Sequence, residues 1–221
     1  MSIYISASAI KDFLSCSMKL YYRTHLPELS VSTNAMQTGI VVHYALENFW
    51  NEKDSAFHYI ESNLYGGQLE KATMSLHTFF DSFSWILTDE DEIEKKFKIP
   101  LGNNVYLIGK IDRISGANIY DWKTTAKPPK SINNDIQFMI YYIAYIGLYG
   151  IQPSSVCYAS LSNGNLIKLK VNDEAVSILQ KEIIPKTVSA LIDNNYAREG
   201  VFRGNTCYNC TYKEACLGGA E

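Results

Sequence analysis

The chain has 221 residues, of which 47% are hydrophobic, and a formal net charge of −3. This length allows one sizeable core, so we expect a single domain, and the negative charge argues against nonspecific coating of nucleic acid. The sequence contains neither a run of about 18 apolar residues, as a membrane span requires, nor the pattern of a signal peptide. We therefore expect a cytoplasmic protein that makes no membrane contact.

Helices are predicted for most of the first 90 residues. Ser6 can cap the free backbone N–H groups of a first helix. Three apolar residues of that helix then fall on one face: Ile10, Phe13 and Leu14. A second helix is predicted from Thr33-Asn34 to Trp50, and its apolar residues at helical spacing include Ile40, Val41, Tyr44 and Ala45. Further helix is expected from about Ser55 to Ile86, broken near Gly66-Gly67.

From Ile93 onwards, apolar residues alternate with polar ones, which is typical of a β-strand. Gly102-Asn103-Asn104 then predicts a hairpin turn into a second strand over residues 105–114. Residues 115–118 turn the chain into a third strand over residues 119–123. We expect these three strands to be antiparallel.

A long helix is predicted next, capped by Asn133-Asn134 and ending near Tyr149. Two strands follow over residues 156–161 and 166–171. The last predicted helix begins at Asp173, is interrupted by Pro185, and leads to a tail rich in cysteine. This order predicts an α/β sandwich with a mixed sheet. Within one domain we distinguish three parts: a helical part at 1–90, an αβ core at 91–171, and a closing helix with its tail at 172–221.

Two aspartates and a lysine are expected to share one small volume. Asp112 and Asp121 lie in adjacent strands, and Lys123 points to the same face as Asp121 because it is two residues away. Burying two like charges is costly unless a cation accompanies them, and carboxylate oxygens suit Mg²⁺ or Mn²⁺. His43 would be a further ligand that favours Mn²⁺. Taken singly, an Asp-x-Lys pair is more often a solvated ion pair, and a lone helix histidine is usually structural.

The order of these candidate site residues along the chain resembles that of a known family. The motifs Gly39-Ile40-Val41-Val42-His43, Gly109-Lys110-Ile111-Asp112-Arg113 and Asp121-Trp122-Lys123-Thr124-Thr125, followed by Gln137 and Tyr141, resemble the PD-(D/E)XK nuclease superfamily in its RecB-like branch. The resemblance covers nearly the whole chain. It implies a restriction-endonuclease-like core with a mixed central sheet flanked by helices.

The resemblance also implies roles for particular residues. A divalent metal would be held by His43, Asp112, Asp121 and the backbone carbonyl of Trp122, with Lys123 as the catalytic lysine. Gln137 and Tyr141 correspond to a glutamine and a tyrosine of this branch, and their spacing of four places both on one helix face. The second acid is Asp121, where many relatives have glutamate, and either residue chelates a metal.

The five cysteines are distributed unevenly. Cys207, Cys210 and Cys216 lie within ten residues, Cys16 is the obvious fourth ligand, and Cys157 lies in an apolar strand where a small core residue is expected. Four thiolates can hold either a tetrahedral Zn²⁺ or an iron–sulfur cubane. Reduced thiols in an ordinary tail are the remaining alternative.

The division into one distant cysteine and three close ones resembles two kinds of iron–sulfur nuclease: the AddB-type nuclease domain and the CRISPR-associated exonuclease family. This resemblance implies a [4Fe–4S] cluster of mainly structural role that joins the N- and C-terminal segments. Ser17 departs from these relatives, which commonly have proline after the first cysteine.

Several basic and aromatic residues are candidates for DNA contact. Lys19, Tyr21, Tyr22 and Arg23 could bind phosphates and stack on unpaired bases, although packing of the tyrosines in the core is at least as good an interpretation. Lys127, Lys130 and Arg203 are equally open. The sequence has no phosphate-binding loop of an ATP-driven motor.

The leading hypothesis is a Mg²⁺- or Mn²⁺-dependent DNA exonuclease that carries a [4Fe–4S] cluster. Its preference for single-stranded DNA or DNA ends is implied by the resemblance alone. One alternative is a DNA-end-binding partner in a CRISPR adaptation, integration or recombination complex, with weak or secondary nuclease activity. Another is a nuclease stabilised by zinc.

Overall fold

The computed structural model describes residues 2–125, 135–168, 172–197, 207 and 210–218. Three kinds of prediction fall outside these residues: the cap at Asn133-Asn134, the end of the strand at 166–171, and the candidate DNA contacts Lys127, Lys130 and Arg203. No helix in the part of the chain described is long and apolar enough to cross a membrane.

The described chain contains six strands and nine α-helices, numbered here in chain order. They are β1 Ile3–Ile5, α1 Ala7–Ser15, α2 Ser17–His25, α3 Asn34–Phe49, α4 Lys53–Asn63, α5 Gly66–Ser82, β2 Glu92–Gly102, β3 Val105–Ser115, β4 Asn118–Lys123, α6 Ile136–Tyr149, β5 Ser155–Ser160, β6 Leu166–Lys168, α7 Asp173–Ile178, α8 Ile184–Asp193 and α9 Lys213–Gly218.

The strands form one mixed sheet in the order β1-β3-β4-β5-β6, with β2 also paired to β3. β3 and β4 are antiparallel, whereas β1 runs parallel to β3 and β4 runs parallel to β5. This mixed sheet, flanked by helices, confirms the predicted α/β class and agrees with a restriction-endonuclease-like fold.

The chain divides into two compact units. Unit 1 contains residues 1–32, 98–109 and 171–221, and unit 2 contains residues 33–97 and 110–170. Two elements, β2 and β3, contribute residues to both units.

In unit 1, the predicted first helix is confirmed as α1. Its Ser6 cap accepts a hydrogen bond from the backbone N–H of Ala9 at 3.2 Å. The predicted apolar face is wrong in part, because Ile10 is fully buried while Leu14 is exposed. Asp12 occupies the buried face instead, where it binds two cationic side chains of α2.

In unit 2, helices α3, α4 and α5 pack on one another. The predicted second helix is confirmed as α3, and Thr33 caps it by accepting from the N–H of Met36. The buried residues of α3 are Thr38, Val42, Ala45 and Leu46, whereas Ile40 and Tyr44 are exposed. Apolar residues of α3 therefore occupy two faces, and only one of them packs on the core.

The strands that lead to the candidate site are joined by tight turns. Asn103 and Asn104 connect β2 to β3 with φ angles of 48° and 59°, a left-handed pair typical of two-residue hairpin turns. Gly116 has a φ of 55° in the turn between β3 and β4. The predicted hairpins are thus confirmed at both positions.

Helix α6 is apolar on nearly all sides and mostly buried. Its N-cap is Asp135, which accepts from the N–H of Gln137 at 2.8 Å and so takes the capping position predicted for Asn133-Asn134, which lie outside the described residues. Pro185 does not break the last long helix, because a π-helical turn at Leu179–Ile183 joins α7 to α8 and places Pro185 in the first turn of α8.

A buried ion pair anchors the strand that carries Asp112. The neighbouring residue, Arg113, donates to the carboxylate of Asp91 and to the carbonyl oxygen of Thr88, both at 2.9 Å. Its guanidinium also lies 4.1 Å from the ring centre of Trp50. Burial alone would raise the pKa of Asp91, but hydrogen bonds from Ser115, Arg113 and Thr88 outweigh it and lower that pKa.

Asp91→Asn should therefore destabilise the fold at neutral pH by about 3–5 kcal/mol, because it leaves the buried Arg113 charge without a partner. The contribution of a carboxylate with a lowered pKa is complete above the ordinary value of about 4 and is lost as the pH falls through the folded-state value. In urea unfolding, the difference in the free energy of unfolding between wild type and Asp91→Asn should accordingly become smaller in acid. The exposed Asp81→Asn serves as control and should change the free energy of unfolding by less than about 0.5 kcal/mol.

Candidate metal and active site

The antiparallel hairpin of β3 and β4 brings the two predicted aspartates together. Arg113 is paired with Tyr120, so the register continued by one residue places Asp112 opposite Asp121. Asp112 is 8% exposed and Asp121 is fully buried. The Trp122 N–H donates to Oδ2 of Asp112 at 2.9 Å, which orients that carboxylate.

The two carboxylates repel each other in a poorly solvated place. Burial, and then the negative charge of Asp121, raises the pKa of Asp112 to about 7. Electrostatic interactions with His43 and Lys123 and the Trp122 hydrogen bond act in the opposite direction, without offsetting the burial. This is the electrostatic environment in which a bound cation is stabilising.

Lys123 forms an ion pair with Asp121. Its Nζ lies 3.0 Å from Oδ1 and 2.7 Å from Oδ2 of Asp121. Burial alone would lower the pKa of Lys123, but the charges of Asp121 and Asp112 outweigh it and raise that pKa. Lys123 is therefore an ammonium at neutral pH.

Gln137 connects this ion pair to Tyr141 on α6. Its Oε1 accepts from Lys123 at 3.3 Å, while its Nε2 lies 3.0 Å from Oδ1 of Asp121 and 2.9 Å from the Tyr141 hydroxyl oxygen. Burial, and then the charges of Asp112 and Asp121, raises the pKa of Tyr141 well above its usual range. The tyrosine therefore keeps its proton, and the amide of Gln137 orients both charged partners.

His43 reaches the opposite carboxylate. Its Nδ1 lies 3.6 Å from Oδ2 of Asp112. One ligand atom each of His43, Asp112 and Glu94 lies within 4.8 Å of the others. Among the described residues this is the group of three that could hold a metal ion, and it contains Glu94 in place of the expected Asp121.

Glu94 was not predicted as a site residue. It lies within β2 with a φ of 46°, a left-handed conformation that side-chain-bearing residues seldom adopt in a strand. Its carboxylate forms an ion pair with Lys110 and lines a pocket with His43 and Asp112. The sequence does show a carboxylate here, in a strand next to the one that carries Asp112. The left-handed backbone at Glu94, however, cannot be seen in the alternation of polar and apolar residues.

The donor set fits a divalent metal. It offers one imidazole nitrogen and several carboxylate oxygens, which suit Mn²⁺ or Mg²⁺. In addition, Oδ2 of Asp121 is buried and has no aligned hydrogen bond from the described residues, although the Lys123 charge is near. A buried oxygen of this kind is expected to accept a cation. The role of the Trp122 carbonyl stays a prediction.

The other candidate ligands are in unit 1. Four cysteines line one pocket: Cys16, Cys207, Cys210 and Cys216. No three of the described cysteines bring their sulfur atoms within 4.8 Å of one another, so the thiols do not form a tight group. Lys19 and Lys213 line the same pocket. Cys157 is buried in β5, as predicted for a core residue.

The basic and aromatic segment on α2 is largely engaged with unit 1 itself. Lys19 lies 2.7 Å from Asp12, and Arg23 pairs with the same carboxylate. Tyr22 is buried and stacks on Tyr212, with ring centres 5.5 Å apart. These contacts favour the packing interpretation over a free DNA-binding patch, and they show that sequence analysis missed Asp12.

A family model described as the PD-(D/E)XK nuclease superfamily matches residues 4–217. No curated protein matches the chain.

Asp112→Asn tests the repulsion between the aspartates. In the metal-free protein above pH 7 it should raise the free energy of unfolding by roughly 1–4 kcal/mol, because one pKa unit corresponds to about 1.4 kcal/mol. A carboxyl whose pKa is raised in the folded state makes the protein less stable as the pH rises from about 4 to that raised value. The gain in stability from Asp112→Asn should therefore shrink towards pH 4. In thermal unfolding, Mn²⁺ should stabilise the wild type and not the variant, and equal stabilisation of both would contradict the assignment of Asp112 as a ligand.

Proposed function

Since this chain belongs to the PD-(D/E)XK nuclease superfamily, we propose that it is a Mn²⁺- or Mg²⁺-dependent exonuclease. It would hydrolyse phosphodiester bonds of single-stranded DNA or DNA ends. Membership supports the coarser activity, which is metal-dependent phosphodiester hydrolysis. The observation that carries the proposal is the buried pair of Asp112 and Asp121 with the Lys123 ammonium beside it. A protein that only bound DNA would gain nothing from burying these charges together.

The ligands in this proposal come from four elements. His43 on α3, Asp112 on β3 and Asp121 on β4 would hold the metal, with the Trp122 carbonyl as a further ligand and Glu94 completing the set on the β2 side. When bound, a metal of this kind lowers the pKa of its water and polarises a phosphoryl oxygen. The Asp112 orientation is already set by the Trp122 N–H.

Lys123 is proposed to act on the reacting phosphate. Its three N–H donors exceed what Asp121 and Gln137 accept, so it can also donate to a phosphate oxygen or to the attacking water. Its raised pKa keeps it positively charged where negative charge develops. Gln137 holds Lys123 and Asp121 in place, and the hydroxyl of Tyr141 anchors Gln137.

The RecB-like branch and the exonuclease mode are parts of the same proposal. The branch is supported by Gln137 and Tyr141, which lie four residues apart on α6 and contact each other beside the Asp121–Lys123 pair. Preference for single strands or ends follows from the resemblance to that branch. Partners in CRISPR adaptation or recombination remain a proposal on the same basis.

We further propose that the four pocket cysteines hold a [4Fe–4S] cluster. Support comes from their common pocket, which Lys19 and Lys213 also line. Zn–S bonds of about 2.3 Å would place tetrahedral thiolates about 3.8 Å apart, whereas no three of the described sulfur atoms lie within 4.8 Å of one another. A cubane separates its thiolates further, since each binds a different iron.

Lys123→Ala tests the catalytic proposal. Cleavage of end-labelled linear single-stranded DNA with Mn²⁺ should fall by about 100-fold or more, as expected for loss of one group that stabilises the developing charge. The matched control is Lys168→Ala, which removes an exposed strand lysine of the same unit and should leave the rate unchanged.

The same assay separates the alternatives. An exonuclease should degrade the linear strand and leave a circular single strand intact. Equal cleavage by wild type and Lys123→Ala would exclude the assigned role of Lys123. Binding of DNA ends without cleavage by the wild type would favour the DNA-end-binding alternative.

Cys16→Ala tests the cluster. Anaerobically purified wild type should be brown and contain iron and sulfide in equal amounts near four per chain, as a cubane requires. Cys16→Ala should lose the visible absorbance and most of the iron, whereas Cys157→Ala, which removes a thiol in the core of unit 2, should keep both. A colourless wild type with one zinc per chain would instead establish the zinc alternative.

A further inference from the structure

Helix α3 carries an apolar stripe on its solvent side. Met36 is 45% exposed, Ile40 is 65% exposed and Tyr44 is 46% exposed. Residues four apart on a helix are neighbours, so these three side chains form one continuous strip, here called the α3 stripe. Single exposed apolar residues are ordinary, but the solvent face of an amphipathic helix is expected to be polar.

The α3 stripe is continuous with the candidate metal site. Ile40 precedes His43 by one helical turn, and Tyr44 follows it directly. His43 in turn lines the pocket that contains Asp112 and Glu94. A DNA strand with one phosphate at this pocket would therefore place the neighbouring nucleotides over the α3 stripe.

The geometry of the stripe suits a flat apolar surface. Tyr44 is held by stacking on Tyr59, with ring centres 4.6 Å apart and planes at 23°, while nearly half of Tyr44 stays exposed. Met36 and Ile40 supply aliphatic surface on the preceding turns. Side chains of these kinds stack against or insert between nucleobases.

The charges near the stripe favour bases over phosphates as the contacted groups. Glu47, which is not among the proposed metal ligands, lines the pocket beside His43 and repels a phosphate backbone. The cation near Glu94 is Lys110, which is paired with it. A duplex covers its base faces by stacking and presents phosphates outwards, whereas an unpaired strand exposes the faces that an apolar stripe can bind.

We propose that the α3 stripe binds unpaired nucleobases next to the scissile phosphate and so selects single-stranded over duplex DNA. This inference rests on the proposed nuclease function and identifies the residues that would recognise its substrate class. Met36, Ile40 and Tyr44 act as specificity-determining residues and take no part in bond cleavage.

The test is a binding measurement in the Lys123→Ala background, where DNA is not consumed. The double substitution Met36→Gln/Ile40→Gln removes the apolar surface while keeping good helix formers. With Mn²⁺ present, fluorescence anisotropy should show its Kd for a labelled oligothymidine weakened by about tenfold, the loss expected for one base-stacking contact. Its Kd for a blunt duplex should not change.

A matched control is Met74→Gln on α5, because Met74 is as exposed as Ile40, at 65%. This variant should bind both DNAs like the Lys123→Ala parent. Circular dichroism should show equal helix content in all three proteins.

The outcomes are distinct. Unchanged oligothymidine binding by the double variant, or an equal loss for single strand and duplex, would overturn the inference. Unchanged DNA binding with a change from dimer to monomer in sedimentation would overturn it in favour of a second copy of the chain as the occupant. Failure of the parent to bind any DNA would instead count against the nuclease function itself.

Discussion

The structure depends on one electrostatic constraint, which is the placement of two buried aspartates opposite each other across the β3–β4 hairpin. Asp121 has no exposed surface and Asp112 almost none, so solvent cannot screen their repulsion. The neighbouring groups compensate in an ordered way. Lys123 and Gln137 contact Asp121, whereas His43 and the Trp122 N–H contact Asp112. The site is thus built in two halves, and a cation between them is the natural means of joining both carboxylates.

Much of this site could be predicted because strand geometry is regular. A spacing of two places Asp121 and Lys123 on one face, and the short turn at Gly116 determines which residue of β3 faces Asp121. Glu94 could not be predicted in this way, because its left-handed φ breaks the alternation of β2. The exposure of Leu14 and Ile40 was also missed, since periodicity locates apolar faces without showing which face the tertiary structure covers.

Basic side chains near the two candidate sites form ion pairs with carboxylates of the same chain. Lys19 and Arg23 bind Asp12, Lys110 binds Glu94, and Lys123 binds Asp121. With a net charge of −3, the protein has little long-range attraction for DNA. Under the proposed function, affinity for DNA would therefore come from short-range interactions, namely metal coordination of one phosphate and contact with bases. Such binding should depend less on salt than binding through many lysine–phosphate contacts.

The contact between Ser17, at the start of α2, and Ala197 has a consequence for biosynthesis. The Ser17 hydroxyl accepts from the Ala197 N–H at 2.7 Å and lies 3.1 Å from the Ala197 carbonyl oxygen. These contacts join residues 180 apart, within a unit whose last segment begins at residue 171. On the ribosome, unit 2 is complete once residue 170 has emerged, whereas α1 and α2 must wait for the last segment. The candidate site residues of unit 2 can thus assemble before the segment that completes the cysteine pocket has been made, so the pocket is the later of the two sites to form.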